Sequence, residues 1–191
     1  MTELDDDAQI MQRVQAGQCE LFEILVRRYQ GALVRAAWSK LGNQAWAEDV
    51  AQETFLAAYA ARASYRAEFS FRTWLWTILL NLCKRQWKRR EQRPLEYGDV
   101  ESRTDVAAEA TVTEETALAV LLSTEERERM AQWLERLPEV QADALRLRYF
   151  GGLKFEEIAA AMGSSLGAAK IRVKNGLLAM AEWLRVEERA L

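Results

Sequence analysis

The fold of this chain is decided by the stretch FEEIAAAMGSSLGAAKIRVKNGLLAM, residues 155–180. Its first part predicts a short helix with Ile158, Ala159 and Met162 facing inward, and Gly163 permits a sharp turn after it. A longer helix follows, because apolar residues recur at helical spacing. The spacing predicts a helix-turn-helix, whose second helix enters the major groove of DNA. The inward positions predicted for that second helix are Leu166, Ala169, Val173, Leu177 and Met180.

The other positions of the longer helix face outward or flank its apolar side. A plain helical hairpin would show the same apolar pattern, so the pattern alone leaves that alternative open. Three cations on this helix favour contact with DNA, because they can neutralise phosphates. The candidate DNA-reading residues are Ser165, Ala168, Lys170, Ile171, Arg172, Lys174 and Asn175.

Two further helices are predicted upstream in the second half. Ser123 with Glu126 resembles a capping box for a helix that runs through Leu137. Pro138 suits the first turn of the next helix, which ends at Gly151 and Gly152.

The most informative stretch of the first half is FSFRTWLWTILLNLCKRQWKRR, residues 69–90. At the helical period it predicts an apolar core face and a separate polar stripe that consists of Thr73, Thr77, Asn81, Lys84 and Lys88. Aromatic residues interleaved with cations suit nucleic acid, because rings stack on bases while cations meet phosphates. The alternative is that the tryptophans pack the core. It is preferred for Trp74 and stays open for Trp76 and Trp87.

The helices before this one have recognisable ends. Acidic residues 5–7 can cap a first helix that ends near Gly17, and a second helix covers about residues 20–41 with Gly42 after it. A third helix, about residues 45–62, carries a second face besides its apolar stripe. That face consists of Asp49, Gln52, Glu53 and Leu56. Spacing alone favours simple solvent exposure of this face over an acidic docking surface for a basic partner.

Composition excludes several classes of function. The 191 residues include no His, which removes the usual neutral-pH general base and imidazole metal ligands. Cys19 and Cys83 lie far apart and are predicted to be buried thiols in a reducing cytosol. No apolar run reaches about 18 residues, and the N-terminus is acidic, unlike a signal peptide. We therefore expect a cytoplasmic protein that does not insert in a membrane, with no metal and no cofactor.

Charge divides the chain into parts. Residues 69–93 hold seven basic side chains and one acidic one, whereas residues 94–126 hold one basic and nine acidic ones. The basic block is a candidate for phosphate contact, although a charge run taken alone more often forms a solvated face. The acidic block marks a linker. The predicted organisation is a domain of residues 1–93, an acidic linker of residues 94–122 and a domain of residues 123–191.

Together, these segments resemble the extracytoplasmic-function (ECF) sigma factors, the small two-domain initiation factors of bacterial RNA polymerase. AEDVAQETFLAAY, residues 47–59, is similar to the segment that docks on the polymerase clamp helices. Residues 69–90 are similar to the segment that melts and recognises the −10 element. LPEVQADALRLRYFGGLKFEEIAAAMG, residues 137–163, and the helix after it are similar to the −35 reader. Among members of the family, the chain looks most like one that serves cobalt–nickel resistance.

The resemblance implies an all-α protein of two small helical domains, sigma2-like and sigma4-like, and a sigma subunit rather than an enzyme. It implies that Asp49, Gln52, Glu53 and Leu56 bind core RNA polymerase, and that the loop of residues 62–69 takes up an extruded base. The −10 residues that it implies are Arg66, Phe69, Arg72, Thr77, Asn81, Lys84 and Lys88. Arg85 departs from the family pattern, because it stands where an acidic residue is common.

The partners implied are core RNA polymerase, promoter DNA and an anti-sigma factor anchored in the membrane. Leu56, Trp76 and Trp87 are the apolar residues that we expect such a silencing partner to cover. A free-standing helix-turn-helix regulator that binds duplex DNA is the alternative. It explains the second half of the chain but not the polar stripe of residues 73–88.

Overall fold

The computed structural model describes residues 6–68, 70–92 and 124–190, and these contain helices and no strand. The chain divides into two compact units. The all-α prediction is therefore confirmed. The predicted linker, Phe69 and the cap residue Ser123 lie outside the described residues, so the linker boundaries and the capping box stay predictions.

The first unit contains four α-helices joined by short connections. Gly42 ends the second helix in the left-handed conformation, with φ of 67°, as its place in the sequence predicts. Two 3₁₀ turns, Cys19–Leu21 and Arg62–Ser64, lie in the connections. The helices are α1 (Asp7–Gln15), α2 (Phe22–Leu41), α3 (Gln44–Ala60) and α4 (Phe71–Gln92).

Helix α4 packs against α2 and α3 through its apolar face. An aromatic cluster lies at the start of α4, where the rings of Tyr29, Tyr65, Phe71 and Trp74 have centroids 5.3 to 6.0 Å apart. Trp74 packs in this cluster, as expected. Trp76 is fully buried at 0% exposure, so its expected role as an exposed contact for a partner is wrong. Trp87 remains exposed at the surface.

Two details of the first unit differ from the sequence-based predictions. Asp6 is the residue that precedes α1, but its side chain makes no capping bond. The Asp7 carboxylate instead accepts hydrogen bonds from Arg28 and Tyr29 of α2, and thereby ties α1 to α2. Cys19 is exposed in a 3₁₀ turn rather than buried in a helix, whereas Cys83 is buried as predicted.

The second unit has the predicted order of helices: α5 (Thr124–Arg136), α6 (Glu139–Tyr149), α7 (Phe155–Ala161) and α8 (Leu166–Ala190). Gly163, with φ of 57°, makes the sharp turn between α7 and α8. Ile158, Ala159, Ala169, Val173 and Met180 are buried, as expected.

Leu166 and Leu177 were predicted to face inward and instead are 38% and 41% exposed. Both lie on α8 toward one edge of its apolar stripe. Helices α6 and α7 pack against α8, and Leu166 and Leu177 lie at the margin of the stripe that they cover.

An ion pair is buried inside the second unit. The guanidinium of Arg146 donates to the carboxylate of Asp143 at 3.2 Å, and the two side chains are 4% and 1% exposed. Removing one partner of such a pair leaves an uncompensated charge in a medium of low dielectric constant. The pair therefore makes α6 intolerant of changes at either position.

We predict that Asp143→Ala lowers the free energy of unfolding of the second unit by about 3–5 kcal/mol. The control is Glu23→Ala, which breaks the exposed Glu23–Arg27 pair of α2 and should cost no more than about 0.5 kcal/mol. Hydrogen exchange of the amides of α6 and α2 measures both. Equal losses in the free energy of unfolding for the two variants would contradict the larger cost that we assign to breaking the buried pair.

Candidate nucleic-acid interface

The polar stripe of α4 is exposed along its C-terminal half. Asn81, Lys84 and Lys88 all face solvent in the isolated unit. The N-terminal part of the stripe is less accessible, because Thr77 is half-buried and its hydroxyl donates to the carbonyl of Thr73 at 2.8 Å. Arg72 is also half-buried. The exposed lysines of the stripe therefore lie in the second half of α4.

The loop before α4 is held in a defined shape. The guanidinium of Arg62 lies 4.3 Å from the ring centroid of Tyr59 and donates to the Tyr59 carbonyl at 2.9 Å. The Ser64 hydroxyl donates to the carbonyl of Ala61 at 2.7 Å. Tyr65 is buried, and Arg66 at the loop tip is exposed. Phe69, the other loop residue expected to contact DNA, lies outside the described part of the chain.

Sequence reasoning missed the residue that fixes this loop. The side-chain amide of Gln15, at the end of α1, donates to the carbonyls of Arg62 and Tyr65 at 2.7 and 2.9 Å. No sequence signal links a glutamine to a loop some fifty positions away, so only the structure could show the contact.

Burial raises the pKa of Tyr65, and the carboxylates of Asp6 and Asp7 add to the shift. Because the shift is upward from a value near 10, the phenol stays neutral at physiological pH. A neutral ring can remain packed in the aromatic cluster at the base of the loop.

The predicted docking face of α3 is present at the surface. Asp49, Gln52 and Glu53 are exposed, and Leu56 beside them is 63% exposed. Glu53 forms an ion pair with Arg85 of α4. This pair was not predicted, although the departure from the family pattern at Arg85 was the signal for it.

The seven candidate DNA-binding residues lie on α8 or, for Ser165, directly before it, and they fall on two borders of its exposed side. Ser165, Ala168 and Arg172 follow one another at helical spacing, with Ile171 and Asn175 next to them. Lys170 and Lys174 lie on the opposite border, where the Lys170 ammonium is 6.0 Å from the ring centroid of Phe155 in α7. We therefore expect the first group to meet bases and the two lysines to meet phosphates.

Ser165 also has a structural role. Its hydroxyl oxygen accepts a hydrogen bond from the backbone N–H of Ala168 at 3.2 Å, which caps the N-terminus of α8. Arg172 is half-buried, and its guanidinium donates to the sulfur of Met162 at 4.0 Å. Met162, directly after α7, thereby helps to orient a side chain of α8.

Among the residues that the structure describes, no group of three or more His, Cys, Asp or Glu side chains could hold a metal ion. Across the same ranges, no helix combines the length and the apolar character that crossing a membrane requires.

Comparisons with known proteins agree with this geometry. The family model for Sigma-70 region 2 matches residues 25–93, and that for Sigma-70 region 4 matches residues 127–180. The ECF RNA polymerase sigma-E factor of Escherichia coli strain K12 is 33% identical over 175 residues, which cover 91% of each chain. The chain belongs to the ECF RNA polymerase sigma factors.

Two solved structures of sigma factors or their relatives share the fold. CnrH, in complex with the cytosolic domain of CnrY, is 25% identical with a TM-score of 0.72, over 95% of this chain and 99% of that one. The sigma factor RpoE of Bartonella quintana, in complex with the anti-sigma factor NepR, is 26% identical with a TM-score of 0.67, over 86% and 97%. Region 2 of this sigma factor thus corresponds to α2–α4, and region 4 to α5–α8.

We predict that the two roles of Ser165 separate in two variants. Ser165→Ala loses the cap and should lower the free energy of unfolding by about 1 kcal/mol. Ser165→Asp keeps a capping oxygen, and its stability should stay within about 0.5 kcal/mol, but its negative charge should weaken binding to the negatively charged −35 duplex. Urea unfolding and −35 duplex binding by the holoenzyme measure the two effects. Wild-type DNA affinity in Ser165→Asp would show that this residue does not face DNA.

Proposed function

We propose that this sigma factor divides promoter recognition between its two units. Region 2 docks on core RNA polymerase through α3 and holds the opened −10 strand along α4. Region 4 reads the −35 duplex through α8. The observation that carries the proposal is the exposed array of Asn81, Lys84 and Lys88 on a helix whose other face is buried. The chain performs no covalent chemistry in this scheme.

The −10 step uses positive charge and a fixed loop. Once the duplex opens, the phosphates of the non-template strand can follow Lys84 and Lys88, while Asn81 can hydrogen-bond to a base edge. Arg66, at the exposed tip of the loop before α4, would supply a further cation to the strand. Unstacking a base costs a few kcal/mol, so a site that receives it favours the open state.

The −35 element is recognised as double-stranded DNA. The N-terminal part of α8 enters the major groove, where Arg172 can bond to a guanine edge and Asn175 to an adenine edge. Lys170 and Lys174 neutralise phosphates beside the groove, which adds affinity without sequence preference. The positive end of the α8 dipole can add to the attraction for a nearby phosphate.

Docking on polymerase uses the opposite sign of charge. Asp49 and Glu53 present carboxylates beside the apolar side chain of Leu56. A basic partner surface with an apolar contact at its centre would match this pattern. The ion pair between Glu53 and Arg85 holds one carboxylate in place before docking.

A silencing partner completes the proposal. The related sigma factor structures are complexes with an anti-sigma factor and with the cytosolic domain of a second protein. We infer that an anti-sigma factor, anchored in the membrane by another part of its chain, holds this protein inactive in the cytoplasm. Exposed Leu56 and Trp87 offer apolar surface for it. A regulon for stress or metal resistance, as in the cobalt–nickel members, remains a prediction.

The alternative function is that of a free-standing regulator that binds duplex DNA. It accounts for α7 and α8 equally well. It gives no reason for the exposed cations of α4 or for the fixed loop that precedes this helix.

We predict that Asp49→Lys weakens binding to core polymerase by at least tenfold, because a like charge then faces a basic surface and repulsion of this kind costs several kcal/mol. Helicity should stay unchanged, since Asp49 is exposed. The control is Glu23→Lys, an equal charge change at an exposed site on α2. Fluorescence anisotropy with labelled protein measures both affinities. Equal affinity of Asp49→Lys and wild type would remove α3 as the docking face.

We predict opposite defects for the two DNA readers. Lys84→Ala should slow promoter opening while −35 binding stays intact, and Arg172→Ala should lose roughly 1–3 kcal/mol of −35 discrimination. Permanganate footprinting of the −10 region and competition between −35 duplexes measure the two steps, and each variant is the control for the other. If Lys84→Ala opened promoters at the wild-type rate, the polar stripe on α4 would be only a solvated face with no role in opening.

A further inference from the structure

The strongest unassigned feature is the contact between α1 and the loop before α4. The Gln15 amide nitrogen lies 2.7 Å from the Arg62 carbonyl oxygen and 2.9 Å from the Tyr65 carbonyl oxygen. Its two N–H groups are thus both used on one segment of backbone. One acceptor is the carbonyl of the first residue of the 3₁₀ turn Arg62–Ser64, and the other is that of Tyr65 directly after the turn, so a single side chain bridges the two ends of the turn.

The loop is also anchored from its other side. The buried ring of Tyr65 lies 5.9 Å from Phe71 and 5.3 Å from Trp74, both on the first turn of α4. The exposed residues 66–68 follow directly after this double anchor. At the far end of the loop, the Ser70 carbonyl accepts the backbone N–H of Trp74 at 3.1 Å as α4 begins. The loop tip therefore projects from a base that has little freedom.

Helix α1, which carries Gln15, is itself packed in place. Its apolar residues Ile10, Met11 and Val14 are buried. Asp7 at its first turn bonds to Arg28 and Tyr29 of α2. Packing therefore fixes the backbone at Gln15, and the two hydrogen bonds orient its exposed side chain.

We propose that Gln15 is a positioning residue for base capture by the loop before α4, an inference that rests on the proposed −10 function. Gln15 does not touch DNA. It holds the carbonyls of Arg62 and Tyr65 so that the loop tip is already in place when an unpaired base arrives. A loop ordered in advance binds more tightly, because less conformational freedom is lost on binding.

The test compares Gln15→Glu with Gln12→Glu in the holoenzyme. A carboxylate at position 15 has no N–H to donate and repels both carbonyl oxygens. Gln12 lies one turn earlier on α1 and is exposed, so its variant carries the same charge change without reaching the loop contacts. The measurement is affinity for single-stranded −10 oligonucleotides with each of the four bases at each position, and with an abasic site at each position.

We expect Gln15→Glu to lose roughly tenfold in affinity and to lose base preference at one −10 position only. On the oligonucleotide that is abasic at that position, Gln15→Glu and wild type should bind equally. Gln12→Glu should match wild type throughout. Base preference retained by Gln15→Glu, or an equal loss on every oligonucleotide including the abasic ones, would overturn the inference.

Affinity for core polymerase and for the −35 duplex reports whether the variant remains folded. If Gln15→Glu fails either measurement, Gln15→Ala, which removes the donors without adding charge, is judged by the same criterion of preference at one position. Absence of any −10 base preference in the wild-type holoenzyme would refute the proposed function itself. That result is distinct from a wild-type preference that both Gln15 variants retain, which would refute only the role of Gln15.

Discussion

The burial of one face of α4 is the constraint on which the first unit depends. Trp76, Leu75 and Leu79 lie within the unit, where α4 meets α2 and α3. The burial is strong enough to tolerate an indole N–H that has no hydrogen-bond partner among the described residues. Such a group costs about 1–3 kcal/mol, and the large apolar surface of a buried tryptophan offsets it. Once this face is buried, the helical period directs Asn81, Lys84 and Lys88 outward together.

In the second unit, the position of α8 depends on the short helix α7. Helix α7 must be held at a fixed angle so that α8 projects from the surface. The guanidinium of Arg148 in α6 donates to the carbonyl of Leu153 at 2.9 Å and lies 5.1 Å from the ring centroid of Phe155. These contacts fix the entry to α7, and Gly163 fixes its exit. The reading helix is thus placed by contacts at both ends of its short neighbour.

Much of the fold could be predicted from sequence because it follows from local rules. Gly42 and Gly163 end helices in the left-handed conformation, and the 3.6-residue period identified most buried positions of α4 and α8. The failures have a common cause. Trp76, Leu166 and Leu177 lie at the edges of apolar faces, where burial depends on whether a neighbouring helix reaches them. Helical periodicity predicts the direction in which a side chain points, but not whether a neighbouring helix extends far enough to cover it.

The candidate interfaces also contain features that follow from helical periodicity and features that depend on long-range packing. Exposure of Asp49, Gln52 and Leu56 follows from the period of α3, so the face could be found without a structure. The Glu53–Arg85 pair and the Gln15 contacts join residues 32 to 50 positions apart. Such contacts depend on how helices pack, which composition and spacing do not encode. The loop that the −10 step needs is therefore supported by a residue that sequence reasoning passed over.

The central claim is that this protein opens promoters only as a subunit of RNA polymerase. The most direct measurement is stopped-flow fluorescence of 2-aminopurine placed in the −10 element of a target promoter, with the chain added in the presence and absence of core polymerase. The account predicts that fluorescence rises only when both are present, and that the chain alone shows no tight, specific binding to the duplex. Specific binding by the chain alone at nanomolar concentration, with no opening when core polymerase is added, would contradict it.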